Sequence, residues 1–471
     1  SGSAASSSNR VRIFDILSGF ARILPNLQEP MEKRSADSLI HARWIIPVSG
    51  NERFLDHHSV AIKDGNIIDI LPTARASEVY EAAKHTSLDS HVLIPGLINT
   101  HTHAAMSLFR GLADDLPLMT WLNEHIWPAE QRWIGEQFVT DGTRLAIAEM
   151  IRGGTTCFND MYFFPNITAA VARQEGIRAT VGIIVFDFPS AWGEGPDDYI
   201  NKGLALHDKY RKDKLISTAF APHAPYTTSD APLERIRMLA DELDIQVHMH
   251  VHESRDEIIG SLEQYGMRPL ERLNKLGLVG PQLMAVHMTQ LTDEEILLCA
   301  ESGLHVVHCV ESNLKLASGF TPVEKLREAG INIALGTDGA ASNNDLDMFG
   351  EMRTASLVAK AVGKSAQGMP ALDSLRAATL NGAIALGIEE RTGSIEKGKA
   401  ADLVAVDLDH PATTPVYDPV SLLVYSASRD QVSDVWVNGR QLLREGRHTS
   451  LDIAAVKHQA DYWKTRIAAA N

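Results

Sequence analysis

Cysteine is almost missing from this chain: Cys157, Cys299 and Cys309 are the only three among 471 residues, and no C-x-x-C pair occurs. Three scattered thiols cannot build a disulfide framework and suit a reducing compartment. Positive charge is also scarce. Lys and Arg total 44 against 60 Asp and Glu, a formal charge of −16, which argues against nucleic acid or an anionic membrane surface as the main partner. No apolar run approaches the roughly 20 residues that span a bilayer. Neither G-x-G-x-x-G nor a Walker A sequence is present, which weakens a nucleotide-cofactor reading. On these absences the protein is expected to be cytoplasmic and soluble.

What remains has globular composition, 44% hydrophobic and 22% charged, and is long enough for a large domain plus an accessory one. Residues 1–35 begin SGSAASSSNR and continue into VRIFDILSGFARIL, whose apolar residues have helical spacing. They are set aside as a leader or extension with no assigned function. From Ser38 the pattern is strand-like, and Asp64-Gly65 marks a hairpin between two apolar runs. A similar pattern returns in ADLVAVDL and DVWVNGRQLL, with Asn438-Gly439 as another turn. Segments 36–94 and 391–450 are therefore expected to form one small β-sandwich from both chain ends. Between them, residues 95–390 alternate strand-like and helix-like stretches. Eight candidate strands (HVLIPGLINTH, TTCFNDM, ATVGIIVF, ISTAFAPH, IQVHMHVHE, LMAVHMTQ, LHVVHCV and INIALGTD) favour an α/β fold of the (β/α)8 TIM-barrel type. Residues 451–471 are expected to add a C-terminal helix.

Ligand-capable side chains recur where those strands finish: His101, His103, His223, His248, His250, His252, His287, His308 and Asp338. In such barrels chemistry sits at the strands' C-terminal ends. A lone H-x-H, as in NTHTH, also fits two histidines at a solvated strand end, and most Asp-Gly pairs are only turns. Taken together, several imidazoles and one carboxylate suit a divalent transition metal such as zinc, with a position left for water. The metal would lower the pKa of that water from about 15.7 towards about 7. A carboxylate must then shuttle protons, and Glu253 is the candidate. VHMHVHE raises a question of its own, since alternate positions on a strand would aim His248, His250 and His252 the same way.

The blocks PGLINTHTHAAMSLFRGLADDLPLMTWL, APHAPYT, HVHESRDE, VHMTQLTDEE, ESNLKLASG and LGTDGAASNNDLDMFGEM closely resemble the methylthioadenosine/S-adenosylhomocysteine deaminases of the amidohydrolase superfamily. The likeness runs from about Leu39 to Arg440. It implies one divalent metal per chain, zinc, held by His101, His103, His250 and Asp338. Glu253 would be the acid/base, His287 would orient the attacking water, His223 would contact substrate and Glu130 would grip both ribose hydroxyls. His252 is then expected to line the pocket and His248 to be packed in the barrel, so Asn substitution should cost metal only at His250. His308 is left between a pocket role and packing.

The implied reaction is attack of metal-bound hydroxide on C6 of an adenine nucleoside, above all 5′-methylthioadenosine, giving 5′-methylthioinosine and ammonia. Two-metal relatives place a carboxylated lysine at the end of the fourth strand. The stretch read as that strand, ATVGIIVFDF, has none, so one metal is expected. The loop that follows, VFDFPSAWGEGPDDYI, carries four acids and no arginine, which should disfavour the anionic tail of S-adenosylhomocysteine. Other readings are deamination of S-adenosylhomocysteine, adenosine or guanine, triazine dechlorination, or a non-catalytic assembly role. A homo-oligomer is expected, with neither nucleic acid nor membrane as partner.

Overall fold

The computed structural model describes residues 33–469. The reading of residues 1–35 as a leader, with its helical pattern, lies almost wholly outside the described residues. Four strands open the described chain: β1 (Arg34–Ile45), β2 (Leu55–Lys63), β3 (Asn66–Pro72) and β4 (Tyr80–Pro95). Asp64 and Gly65 both have positive φ, 52° and 83°, which gives the β2–β3 hairpin the twist its two-residue loop requires. The chain passes from β4 into the next strand at Gly96. A Cβ there would lie 1.9 Å from the Thr156 hydroxyl, so only glycine permits the approach. HVLIPGLINTH is thus two strands rather than one.

Eight parallel strands follow: β5 (Leu97–Thr102), β6 (Thr155–Asp160), β7 (Arg178–Val185), β8 (Ile216–Pro222), β9 (Val247–Val251), β10 (Leu283–His287), β11 (His305–His308) and β12 (Asn332–Leu335). They pair in sequence order with helices between them. Side chains complete the closure between first and last strands: Thr100 Oγ1 donates to the Leu335 carbonyl at 2.7 Å and the Thr337 N–H to Asn99 Oδ1 at 3.0 Å. Small and branched residues, including Ile98, Ala219, Val286, Val307 and Ala334, fill the barrel below the site. ATVGIIVF is the third barrel strand. The fourth is β8, ISTAFAP, and it too contains no lysine, so the expectation of one metal rests on the same absence one strand later.

The chain then returns to the first sheet with β13 (Leu403–Asp407), β14 (Val432–Val437), β15 (Arg440–Arg444) and β16 (Arg447–His448). In hydrogen bonding this is one eight-stranded sheet, ordered β16-β15-β14-β13-β4-β1-β2-β3, built from both ends as the patterns predict. A final helix, Ile453–Ala468, lays Trp463 against Phe138, and its indole donates to Asp141 at 2.9 Å. Among the described residues no helix is long and apolar enough to cross a membrane. All three cysteines are free and buried, and burial pushes the Cys157 and Cys299 thiols up to about 12, where they are chemically quiet.

Candidate active site

Four side chains converge above the barrel floor. His101 Nε2 and His103 Nε2 each lie 3.2 Å from Asp338 Oδ1, and His250 Nε2 lies 3.2 Å from His101 Nε2. Ligand bonds of 2.0–2.1 Å in a tetrahedron would separate neighbouring donors by about 3.3 Å, so the spacing fits one small divalent ion. The far nitrogens agree. His103 Nδ1 donates to the Met161 carbonyl at 2.6 Å and His250 Nδ1 to the His223 carbonyl at 2.8 Å. Each bond fixes the proton on Nδ1 and leaves Nε2 bare as a ligand. Burial alone would raise Asp338, but the His101 and His103 imidazoles beside it hold its carboxyl well below the usual range. Its other oxygen accepts the hydroxyls of Ser312 and Ser342 at 2.7 and 2.9 Å. The donor set therefore presents a fixed negative charge and three imidazole nitrogens to one point. His287, with His101 and His250, forms a further grouping of close donor atoms.

His287 ends β10 with φ 77°, a left-handed residue that turns its ring out of the strand's alternation and into the site. Its Nδ1 meets Asn313 Oδ1 at 2.8 Å; that oxygen only accepts, so the proton sits on Nδ1. Nε2 is left unprotonated, buried and without a partner, 3.8 Å from Glu253 Oε2. Burial raises the pKa of Glu253, with His287 opposing. A carboxyl whose protonated form burial favours, beside a bare imidazole nitrogen, is equipped to move protons around a water molecule.

These groups open on a cavity of about 720 Å³ whose walls include Trp121, Leu122, Ile126, Trp127, Phe163, Phe186, Phe188 and Tyr226, a size suited to a small organic ligand. Glu130, on the helix Trp127–Trp133, and His223, after β8, both line it. Burial pushes Glu130 up to about 7 against the opposing pull of Tyr162 and His103. Burial, with His103 and His101 nearby, takes His223 down to about 3. No Arg or Lys among the described residues lines the cavity.

All eight expected site residues thus meet at one place, but the other histidines need correction. His248 is inside the barrel as expected, yet it is more than filling: its Nε2 lies 2.8 Å from His101 Nδ1, with Asn159 behind it at 3.2 Å. His252 does not line the cavity. The strand ends at Val251, His252 takes φ 55°, and its buried Nε2 accepts the Leu270 N–H at 3.1 Å. His308 is also outside the cavity lining, buried with neither ring nitrogen partnered. Sequence reasoning missed Asn159, Asn313, Ser312 and Ser342. Asn313 stands in the ESN block, but nothing in that string says which nitrogen of which histidine it will meet.

The sequence matches the amidohydrolase family profile over residues 92–442. The chain belongs to the amidohydrolase family. Among curated amidohydrolases, the 5-methylthioadenosine/S-adenosylhomocysteine deaminase of Saccharophagus degradans is 50% identical over 93% of this chain and 98% of its own. A crystal structure of an adenosine deaminase from Xanthomonas campestris with bound zinc superposes with TM-score 0.92 at 54% identity, covering 93% of this chain and all of that one. Atrazine chlorohydrolase from Arthrobacter aurescens complexed with zinc superposes with TM-score 0.85 at 24% identity, over 90% of this chain and 99% of that one. That degree of identity shows a shared amidohydrolase fold and no more.

Proposed function

We propose that this amidohydrolase hydrolytically deaminates adenine nucleosides, converting 5′-methylthioadenosine to 5′-methylthioinosine and ammonia in preference to S-adenosylhomocysteine. The observation that carries the reading is the cavity itself: a metal-type donor cluster with Glu253 and His287 beside it, a further carboxylate, Glu130, in the lining, and no Arg or Lys there among the described residues. His101, His103, His250 and Asp338 would hold one zinc ion, which supplies a Lewis acid able to make water nucleophilic near neutral pH. Glu253 delivers a proton to N1 of the purine as the water oxygen bonds to C6. His287, through its bare Nε2, orients that water, accepts its proton and, once protonated, steadies the charge developing on the oxygen. The C6–N bond of the tetrahedral adduct then breaks as Glu253 carries the proton of the new C6 hydroxyl to the amino group, which leaves as ammonia, and His287 returns the water's proton to Glu253. Glu130 accepts hydrogen bonds from both ribose hydroxyls, and His223 contacts the substrate. The likeness to the deaminases of Saccharophagus degradans and Xanthomonas campestris supports this reading.

The preference for a neutral 5′ substituent rests on the loop after β7, which brings Phe186, Phe188, Pro189 and Ala191 to the cavity and no base. We assign residues 95–390 to the catalytic barrel, with 36–94 and 391–450 as its accessory β domain. A reducing, cytoplasmic setting fits three buried free thiols. The test is ammonia release from 5′-methylthioadenosine, S-adenosylhomocysteine, adenosine, guanine and a chlorotriazine, with zinc content measured alongside. The expected order places 5′-methylthioadenosine first by kcat/KM. A higher value for S-adenosylhomocysteine would overturn the preference, and no ammonia from any adenine nucleoside would overturn the activity.

A further inference from the structure

Glu253 sits where β9 has just ended, and the peptide groups around it are held unusually completely. The carbonyl of His252 accepts the N–H groups of Thr289 and Gln290 at 2.9 and 3.2 Å, and the carbonyl of Glu253 accepts the Thr289 hydroxyl at 2.7 Å. The two N–H groups go to one side chain. Glu257 Oε1 accepts from His252 at 3.0 Å and Oε2 from Glu253 at 2.8 Å.

The bland account is helix capping, because Glu257 is the third residue of the helix Arg255–Tyr265 and the Ser254 hydroxyl accepts its N–H at 3.3 Å. In a capping box, however, that glutamate returns to the N–H of the capping residue itself. Here it reaches past Ser254 to the two residues before it. The left-handed φ of His252, 55°, turns both N–H groups toward the same carboxylate. A non-glycine residue in that region stores strain unless its surroundings hold it, and Glu257 is buried with both oxygens committed.

We propose that Glu257 is a positioning residue, whose carboxylate clamps the His252–Glu253 backbone and so fixes the aim of the Glu253 acid/base into the cavity. The inference rests on the acid/base reading of Glu253. It needs two acceptor oxygens at once, and this dictates the test. In Glu257→Gln the shape is kept, but one oxygen becomes an NH₂ that faces an N–H and cannot accept it.

The experiment measures kcat, KM and zinc content for 5′-methylthioadenosine in Glu257→Gln, Glu253→Gln and the double variant. A loosened acid/base costs turnover: Glu257→Gln is expected to lower kcat by about ten- to a hundred-fold, with KM within about two-fold and zinc content unchanged. Added to Glu253→Gln, it should cause no further loss, since the group it aims is already gone. A Glu257→Gln enzyme with wild-type kcat beside a disabled Glu253→Gln would overturn the clamp alone, as would full additivity in the double variant. Full turnover in Glu253→Gln would overturn the acid/base reading and the clamp with it. Should Glu257→Gln not accumulate folded, Glu257→Asp keeps both acceptor oxygens but draws them back by one methylene from the His252 and Glu253 N–H groups. The clamp then predicts lowered kcat at unchanged KM, and wild-type kcat in that variant would overturn it.

Discussion

Two of the three histidines proposed as ligands are committed at Nδ1 to a carbonyl, and the third, His101, to another imidazole, His248. That difference sets a residue-scale prediction. His250→Asn should abolish zinc binding, whereas His248→Asn should weaken it about 10–100-fold, read by competition with a chromophoric chelator. His252→Asn should leave zinc affinity unchanged, because its ring bonds the Leu270 N–H and not the cluster. Glu253→Gln should lower kcat by about 10²–10⁴-fold while zinc content stays at the wild-type value, as measured by steady-state assay with elemental analysis. Glu130 gives a pH signature. Burial raises its carboxyl to about 7, so it gains a proton, and loses the charge with which it accepts ribose hydroxyls, as pH falls through that value. The kcat/KM for a nucleoside should therefore drop below about pH 7, and Glu130→Gln should remove that limb while lowering the plateau. A pH profile with the same acid limb in both enzymes would contradict the assignment.

At the scale of elements, the strand ends do the arranging. His252, His287 and Asp338 all have positive φ, 55°, 77° and 64°, and each lies where its strand has just finished or is finishing. The eight strands were legible in the sequence because buried parallel strands read as short apolar runs. The aim of the residues after them was not, because alternation stops predicting direction once φ changes sign. Hence VHMHVHE, read as three imidazoles on one face, divides: His250 joins the donor cluster, His248 meets His101, and His252, past the change of φ, turns to the Leu270 N–H. The loop after β7 carries a specificity prediction of its own. Ser190→Arg, at the cavity wall, should raise kcat/KM for S-adenosylhomocysteine relative to 5′-methylthioadenosine by roughly ten-fold, as a charge-assisted contact to the carboxylate would. An unchanged ratio would move the 5′ subsite elsewhere.

Across the whole molecule, the accessory sheet is tied to the foot of the barrel. Arg178, opening β7, donates from Nε to Asp402, just ahead of β13, at 2.8 Å, and both side chains are almost fully buried. Asp402 also takes the Thr392 hydroxyl at 2.9 Å and the Asn438 N–H at 2.6 Å. Removing one partner strands a buried charge, so Asp402→Ala should cost about 3–5 kcal/mol of stability, seen as a lower thermal midpoint with kcat at room temperature retained. The hairpins at Asp64-Gly65 and Asn438-Gly439 also touch: a Cβ on Gly65 would lie 2.6 Å from the Asn438 carbonyl.

The sequence by itself determined the barrel and the accessory sheet, and it named eight residues that the fold brings together around one cavity. Apolar periodicity, turn dipeptides and ligand-capable residues at strand ends are local chemistry that survives being written in one dimension. Tertiary structure alone decided which nitrogen of each imidazole is free, that His248 backs His101, that Asn313 sets the tautomer of His287, and that Glu257 holds the peptide of Glu253. All but the last join residues far apart in the chain, and the last depends on the φ of His252. Hydrogen-bond direction is a property of the folded neighbourhood, and no spacing of letters carries it.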